Sequence, residues 1–292
     1  MRKFTFRQVD VFTKKPFLGN PVAVVLGAEV LAAEEMQSIA AWTNLSETTF
    51  VLPPSVRHAD YRLRIFTPRG EIPFAGHPII GSAHAVIEHG LVSNSADSLV
   101  QECGVGLLRL TVERRVTEQM IFVDAPGATF ADVDAAHLDM IPLALDAHPR
   151  QDTPPQIVDV GSRWLIIDLG SGDAVQALHP NMEQIAHVSA SLGIAGITVF
   201  GRSTDARTAV QVRSFAPLAG ILEDPVCGSG NACVAAYLDR WGVRFAGKLE
   251  YVASQGRELG RDGYVFVRVN LQSHQVSIGG HAVTCVSGEM HV

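Results

Sequence analysis

A polar turn that runs straight into a helix apolar on every side occurs twice in this chain. The second copy, EDPVCGSGNACVAAYL, sets Asp224, Cys227 and Ser229 on a glycine turn ahead of Ala232, Val234, Ala235, Ala236, Tyr237 and Leu238. The first, FTPRGEIPFAGHPIIGSAHAV, is a blurred version, in which Ile79, Ile80, Ala83, Ala85, Val86 and Ile87 go most of the way round the helix. A helix with no polar face has to be buried. The unpaired N–H groups at its start form a ready anion site. A chain that builds this unit twice is predicted to fold as two similar lobes with a cleft between them.

Weaker echoes run in the same order. Val9-Asp10-Val11 returns as Val158-Asp159-Val160, and Phe66-Thr67-Pro68 as Phe215-Ala216-Pro217, both offset by 149 residues. Thr48-Thr49-Phe50 returns as Thr198-Val199-Phe200 at an offset of 150, and residues 36–40 resemble 182–186 at 146. Four matches in order at nearly one offset indicate duplication, with a period far too long for a solenoid. Periodicity predicts strands over residues 4–12, 22–26, 48–52, 61–66, 99–112 and 120–123, and helices over 31–42 and 81–89, the latter ended by Gly90. The join falls within 124–155, with a helical stretch over 131–141. Strands outnumber helices around each apolar helix. The expected class is therefore α+β, with pseudo-symmetric lobes at residues 1–127 and 128–292, each a curled, mostly antiparallel or mixed sheet around its central helix. The last strand is free to pack back toward the first lobe, and the active site is expected between the lobes.

Composition narrows the function. Of 292 residues, 47% are hydrophobic and 18% charged, enough for a sizeable core. Lys+Arg 23 against Asp+Glu 30 leaves −7, with no basic stripe of the kind that phosphate backbones require, so no nucleic-acid partner is expected. The N-terminus MRKFTFRQVDVF alternates and lacks the apolar core of a signal peptide, and no run of about 18 apolar residues exists, so no membrane span is expected. Cys103, Cys227, Cys233 and Cys285 form no CxxC, and a reducing cytoplasm is the expected compartment.

Candidate chemistry gathers at a few positions. Glu47, in NLSETTFVLP, enters an apolar strand, where half-burial raises a carboxylate pKa toward values useful for proton transfer; a solvent-facing strand-end Glu is the alternative. His77 lies just before the first buried helix, with Gly76 and Pro78 restricting the backbone around it. It either polarises a substrate oxygen or is a satisfied turn histidine. Asp224 is either a turn residue or a cleft carboxylate. Cys227 is either a thiol of lowered pKa at a helix start or a small buried hydrophobe, while Cys103, Cys233 and Cys285 read as core. Ser229 can cap the second helix and bind a carboxylate together with the Gly228 and Gly230 amides.

Other motifs fail. Gly242 to Lys248 spells GxxxxGK, but Leu249 stands where Ser or Thr is needed; no complete GxGxxG exists, and Cys227 spoils GxSxG around Ser229. The eleven histidines form no HExxH and no Cys/His ligand grouping. Neither a metal nor a bound cofactor is expected. What remains is cofactor-free proton chemistry on a small anionic molecule, with helix N–H groups and a histidine to stabilise the enolate or dienolate.

Across almost its whole length, through FTKKPFLGNPVAVVL, NLSETTFVLPP, RIFTPRGEIPFAGHP, EDPVCGS and QGRELGRDGYVFV, the chain resembles the PhzF family of phenazine biosynthesis. More distantly it is similar to diaminopimelate epimerase and proline racemase. The resemblance implies a diaminopimelate epimerase-like fold, a homodimer, and isomerisation of the trans-2,3-dihydro-3-hydroxyanthranilate type without a cofactor. It carries the family's catalytic glutamate, histidine and aspartate onto Glu47, His77 and Asp224, and its substrate cradle onto Ser229 and Gly76. One departure is Cys227, where the family usually has Thr. A cysteine before GSG is one of two opposed bases in the epimerases. Pairing Gly228-Ser229 with Gly81-Ser82 makes Ile80 the counterpart of Cys227, which excludes a two-thiol racemase.

The expected function is thus a proton-shifting isomerase of a small carboxylated, amino- or hydroxyl-bearing metabolite, with Glu47 as general acid/base. Its rivals are an epimerase using Glu47 and Cys227, and a non-catalytic small-molecule-binding relative. All of this expects Glu47 to face the turn at Cys227 across one shared crevice.

Overall fold

The computed structural model describes residues 1–93, 95–115 and 118–292. In chain order, the first half contains β1 (Lys3–Val11), β2 (Asn20–Leu26), α1 (Ala33–Thr43), β3 (Thr48–Leu52), β4 (Tyr61–Thr67), β5 (Gly70–Ile72), α2 (Gly76–His89), β6 (Ser98–Cys103), β7 (Gly106–Arg115) and β8 (Glu118–Asp124). The second half contains β9 (Thr129–Asp132), α3 (Ala135–Leu145), β10 (Gln156–Asp159), β11 (Arg163–Ser171), α4 (Gly172–Gln176), α5 (Met182–Leu192), β12 (Gly196–Arg202), β13 (Val210–Ala216), β14 (Ile221–Asp224), α6 (Gly228–Arg240), β15 (Glu250–Gln255), β16 (Gly263–Val269) and β17 (Val276–Gly280), and the chain ends in β18 (Ala282–His291). The class is α+β. The chain divides into two compact units, Met1–Asp124 with Gly279–Val292, and Ala125–Ile278.

In the first unit the ladder runs β18, β1, β2, β3, β4, β6, β7, β8. The successive pairings are antiparallel, antiparallel, parallel, antiparallel, parallel, antiparallel and antiparallel. In the second unit β9, β10, β11, β12, β13, β15 and β16 follow in the same sequence of senses as far as they go. The two parallel pairings in each unit require crossover connections. α1 and α2 supply them in the first unit, and α5 and α6 occupy the corresponding connections in the second.

α2 packs on β1, β2 and β8, and α6 on β16, β11 and β10. Eleven of the fourteen residues of α2 are buried, as an all-round apolar helix demands. Its start is a correction to the sequence reading, which begins the helix at Gly81. The structure begins it at Gly76 and takes in Gly-His-Pro. Pro78 reads as a turn residue in isolation, yet it is tolerated in a first turn, where its missing N–H has no intrahelical partner to lose. Gly90 does end the helix, with φ 78°. The run over 99–112 is likewise two strands, β6 and β7, reversed at Gly104-Val105 with Gly106 at φ 105°. The stretch over 131–141 divides into β9 and α3, the latter capped by Asp134. No helix among the described residues is long and apolar enough to cross a membrane.

Gly81 shows how closely α2 is held. A Cβ there would come within 2.4 Å of Val22 Cγ1 and 2.9 Å of Val11 Cγ2, so the helix axis lies directly on β1 and β2. Gly81→Ala is expected to lower stability by about 1–3 kcal/mol through overpacking, despite alanine's better helix propensity. Urea unfolding checks this, and a variant as stable as wild type would contradict the close approach.

Candidate functional site

In the first unit the backbone brings Glu47 and His77 together. α1 ends with Asn44 in the left-handed region (φ 54°), and the chain turns into β3. The Glu47 carbonyl accepts from the Ala23 N–H (3.4 Å), which anchors the strand entry to β2. His77 is the second residue of α2. Its Nε2 lies 3.3 Å from Glu47 Oε2, with the side chains only 6% and 14% exposed. The ring also meets Asn20 Nδ2 at its Nδ1 (3.4 Å) and hydrogen-bonds the Pro21 carbonyl. The close approach to Glu47 lacks hydrogen-bond alignment, and the buried Nε2 has no hydrogen-bond partner among the described residues. Burial pushes the imidazole pKa from its ordinary 6.5 down to about 3, against a small opposing effect of the Pro21 carbonyl. The ring is therefore neutral at neutral pH, and its contact with Glu47 is not an ion pair. Gly76 opens the helix, and Ala75 at the cap position offers no side-chain acceptor.

In the second unit the Asp224–Gly230 segment is tied down at each step. Asp224 Oδ1 accepts from the Val226 N–H (3.1 Å), closing the turn through Pro225. Cys227 is the N-cap of α6, and its Sγ accepts from the Gly230 N–H (3.3 Å). Gln255, fully buried, binds both ends of the turn. Its Oε1 accepts from the Cys227 N–H (3.1 Å) and Asn231 Nδ2 (2.9 Å), and its Nε2 donates to the Asp224 carbonyl (3.0 Å). Ser229 Oγ accepts from Trp164 Nε1 (3.0 Å) and lies 3.6 Å from Cys227 Sγ. A Cβ on Gly230 would come within 2.7 Å of Ser214 Oγ and 2.8 Å of Thr198 Oγ1, two hydroxyls already bonded to each other. Gly228 is the first residue of α6.

Of its two readings, Cys227 takes that of a small buried residue. A helix start lowers a thiol pKa when the sulfur is accessible, but Cys227 is only 3% exposed. Burial pushes its pKa well up, the Asp224 charge adds to the rise, and the bonds from Ser229 and Gly230 do not offset them. The sulfur is a protonated cap. Of the other cysteines only Cys233 is core, and Cys103 and Cys285 are half-buried rather than buried. No His, Cys, Asp and Glu grouping among the described residues could hold a metal.

The two helix starts also correct the internal alignment. α2 begins at Gly76 behind Ala75, and α6 begins at Gly228 behind Cys227. Pro73-Phe74-Ala75-Gly76 therefore matches Pro225-Val226-Cys227-Gly228, and the counterpart of Cys227 is Ala75, not Ile80. Alanine also carries no proton, so the exclusion of a thiol pair stands. His77 and Ser229 become equivalent, each the second residue of its helix. The candidate residues thus form two groups, Glu47, Gly76 and His77 in one unit, and Asp224, Cys227, Gly228, Ser229 and Gly230 in the other. Asn20, Trp164 and Gln255 were not singled out from sequence. Asn20 and Gln255 lie in GNP and QG segments with no local chemical signal, and Trp164 contacts Ser229 across 65 residues. A cavity of about 400 Å³ in the first unit, lined by Lys14, His84, Glu88, Glu118 and His281, is separate from these groups.

Burial of a neutral imidazole has a signed consequence. The His77 pKa is lowered on folding, so below about pH 6.5 the unfolded chain takes up a proton that the folded chain refuses, and stability falls as pH drops toward about 3. In His77→Gln the dependence of unfolding free energy on pH near pH 4–5 should weaken by about 1.4 kcal/mol per pH unit. Urea titrations across that range check this, and an unchanged slope would contradict the neutral ring.

The profile of the phenazine biosynthesis-like proteins (PhzC-PhzF) matches residues 9–288. Antisense-enhancing sequence 1 of Schizosaccharomyces pombe is 39% identical over all of both chains. A trans-2,3-dihydro-3-hydroxyanthranilate isomerase of Pseudomonas chlororaphis is 34% identical over 94% of this chain and 95% of its own. Among solved structures, the Bacillus anthracis phenazine biosynthesis protein of the PhzF family superposes with a TM-score of 0.87 at 29% identity, covering 100% of both chains. A probable proline racemase from Agrobacterium radiobacter, at TM-score 0.67 and 16% identity over 99% of this chain and 92% of its own, shares the fold. The chain belongs to the phenazine biosynthesis-like family and is an enzyme of the isomerase class.

Proposed function

We propose that the protein is a cofactor-independent isomerase that moves a proton on a small carboxylated metabolite bearing an amino or hydroxyl group. The observation that carries this reading is the 3.3 Å approach of Glu47 to a buried imidazole that stays neutral. An imidazolium at that distance would hold the carboxylate as an ion pair and weaken it as a base, whereas a neutral ring leaves it able to take a proton from carbon. Glu47 removes the proton and returns it at another position. His77 gives its Nδ1 proton to the Pro21 carbonyl, so its Nε2 lone pair accepts from a substrate O–H or N–H beside Glu47, and the N–H groups of the helix starts meet the oxygen on which charge develops, worth ~3–4 kcal/mol in a dry site. Asp224 orients the substrate's amine or hydroxyl. Ser229 and the backbone at Gly228 hold its carboxylate. Gly76 opens α2 as its first residue, whereas Gly230 packs on Ser214 and Thr198 and gives its N–H to Cys227 Sγ rather than to the anion. Cys227 borders this cradle as a neutral thiol. The likeness to the Pseudomonas chlororaphis isomerase supports a substrate of the dihydro-hydroxyanthranilate class.

Epimerisation through Glu47 and Cys227 is less well supported. Such an enzyme needs the sulfur as a thiolate in one direction of turnover, and the buried Cys227 resists ionisation.

Deuterium incorporation from heavy water into trans-2,3-dihydro-3-hydroxyanthranilate and its isomer tests the assignment. Glu47→Gln should lower exchange by about 10²–10⁴-fold, while Cys227→Ala should lower it by less than about tenfold, the size expected of one lost neutral contact. Full exchange in Glu47→Gln would reject the assignment, and a collapse confined to Cys227→Ala would favour the epimerase.

A further inference from the structure

The strand registers place two residues at one equivalent point. Ala23 of β2 faces Thr48 of β3, and Ile166 of β11 faces Thr198 of β12, where Thr48 and Thr198 are matched positions of the repeat. Two residues earlier on each strand stand Pro21 and Trp164. Each reaches the second residue of its unit's central helix. The Pro21 carbonyl bonds His77, and the Trp164 indole N–H donates to Ser229 Oγ at 3.0 Å. The same ladder position therefore presents an acceptor in one unit and a donor in the other.

That difference in polarity has a chemical consequence. An indole N–H can only donate, and a serine hydroxyl has one proton and two acceptor sites. With Trp164 donating to its oxygen, Ser229 keeps its proton and one of its two acceptor sites. Cys227 Sγ lies 3.6 Å from Ser229 Oγ, a contact in which either atom can donate, and an S–H given to the serine oxygen would fill its second acceptor site. Trp164 is itself 4% exposed, so the ring cannot swing out to solvent.

We propose that Trp164 is a positioning residue that sets Ser229 as a hydrogen-bond donor and so selects a carboxylate over an uncharged group at the start of α6. The inference rests on the reading of Ser229 as a carboxylate-holding residue. A donor beside helix-start N–H groups favours an anion, and a hydroxyl polarised by a second hydrogen bond donates more strongly. Serine alone, free to turn, would accept from a neutral ligand as readily as it donates to an anion.

The test uses the full chain and two probes. One is 3-hydroxyanthranilate, an aromatic acid of the same skeleton as the substrate named for the Pseudomonas chlororaphis relative. The other is 2-aminophenol, the same ring without the carboxylate. Wild type should bind the acid more tightly than the phenol by about tenfold. Trp164→Phe, which keeps a ring in the core, should weaken the acid by about fivefold to tenfold and the phenol by less than about twofold. In NMR spectra, the indole N–H resonance that vanishes in Trp164→Phe should shift and exchange faster in Ser229→Ala. Equal weakening of both probes would make the residue merely structural and overturn the proposal. So would an unmoved indole resonance, or a wild type that does not prefer the acid. These readouts are binding and resonance position, whereas the proton-transfer reading stands or falls on exchange in Glu47→Gln, so the two failures are separable.

Discussion

The contact between a buried neutral imidazole and a nearly buried carboxylate at the start of α2 is the constraint around which the first unit is arranged. His77 can stay uncharged only if water is kept from it, and water is kept away because the helix it begins is enclosed by β1, β2 and β8. That enclosure needs Gly81 where the helix meets Val11 and Val22, and a first turn that tolerates Pro78. Loosening the helix would hydrate the ring, raise its pKa and convert the contact into an ion pair. Packing in the core and the protonation state at the site are thus one property.

The two units share a frame and differ in the residues set on it. The two units share their order of strand pairings and a central helix entered through Pro-x-Ala/Cys-Gly. At the second helical residue one carries histidine and the other serine, and at the cap one carries alanine and the other cysteine. On the proposed reading the first unit handles the proton and the second holds the anion. Gln255 and Asn231 brace only the second turn, and the Arg213–Glu223 pair, 6% and 8% exposed with both bonds at 2.8 Å, anchors the strand leading into it. Such bracing suits a backbone that must present its N–H groups in one arrangement.

Much of the fold was legible because the repeated tripeptides sit on strands whose alternation survives in isolation. β3, for instance, spans the predicted residues 48–52. The start of α2 was misplaced because Gly-His-Pro carries every local mark of a turn, and only burial around it makes a helix. The Ile80 pairing failed for a related reason. The offset between the units grows from 149 at Pro68 and Pro217 to 152 at Gly76 and Gly228, because residues 218–224 are longer than their counterpart. Glu47, His77 and Asp224 stand out by their place in the segments and then by motif resemblance, both of which name residues without their surroundings. Burial of Cys227 and the reach of Trp164 and Gln255 arise from pairings distant in sequence, so nothing local could signal them. The two readings of Cys227 stay open in sequence because the helix start is visible there and its enclosure is not.

The most direct test of this account is an NMR titration of the His77 ring in the intact protein, assigned by comparison with His77→Gln. The account predicts a neutral imidazole whose resonances do not titrate between about pH 8 and pH 5. A midpoint between about pH 6 and pH 7 would show an imidazolium beside Glu47 and would contradict it.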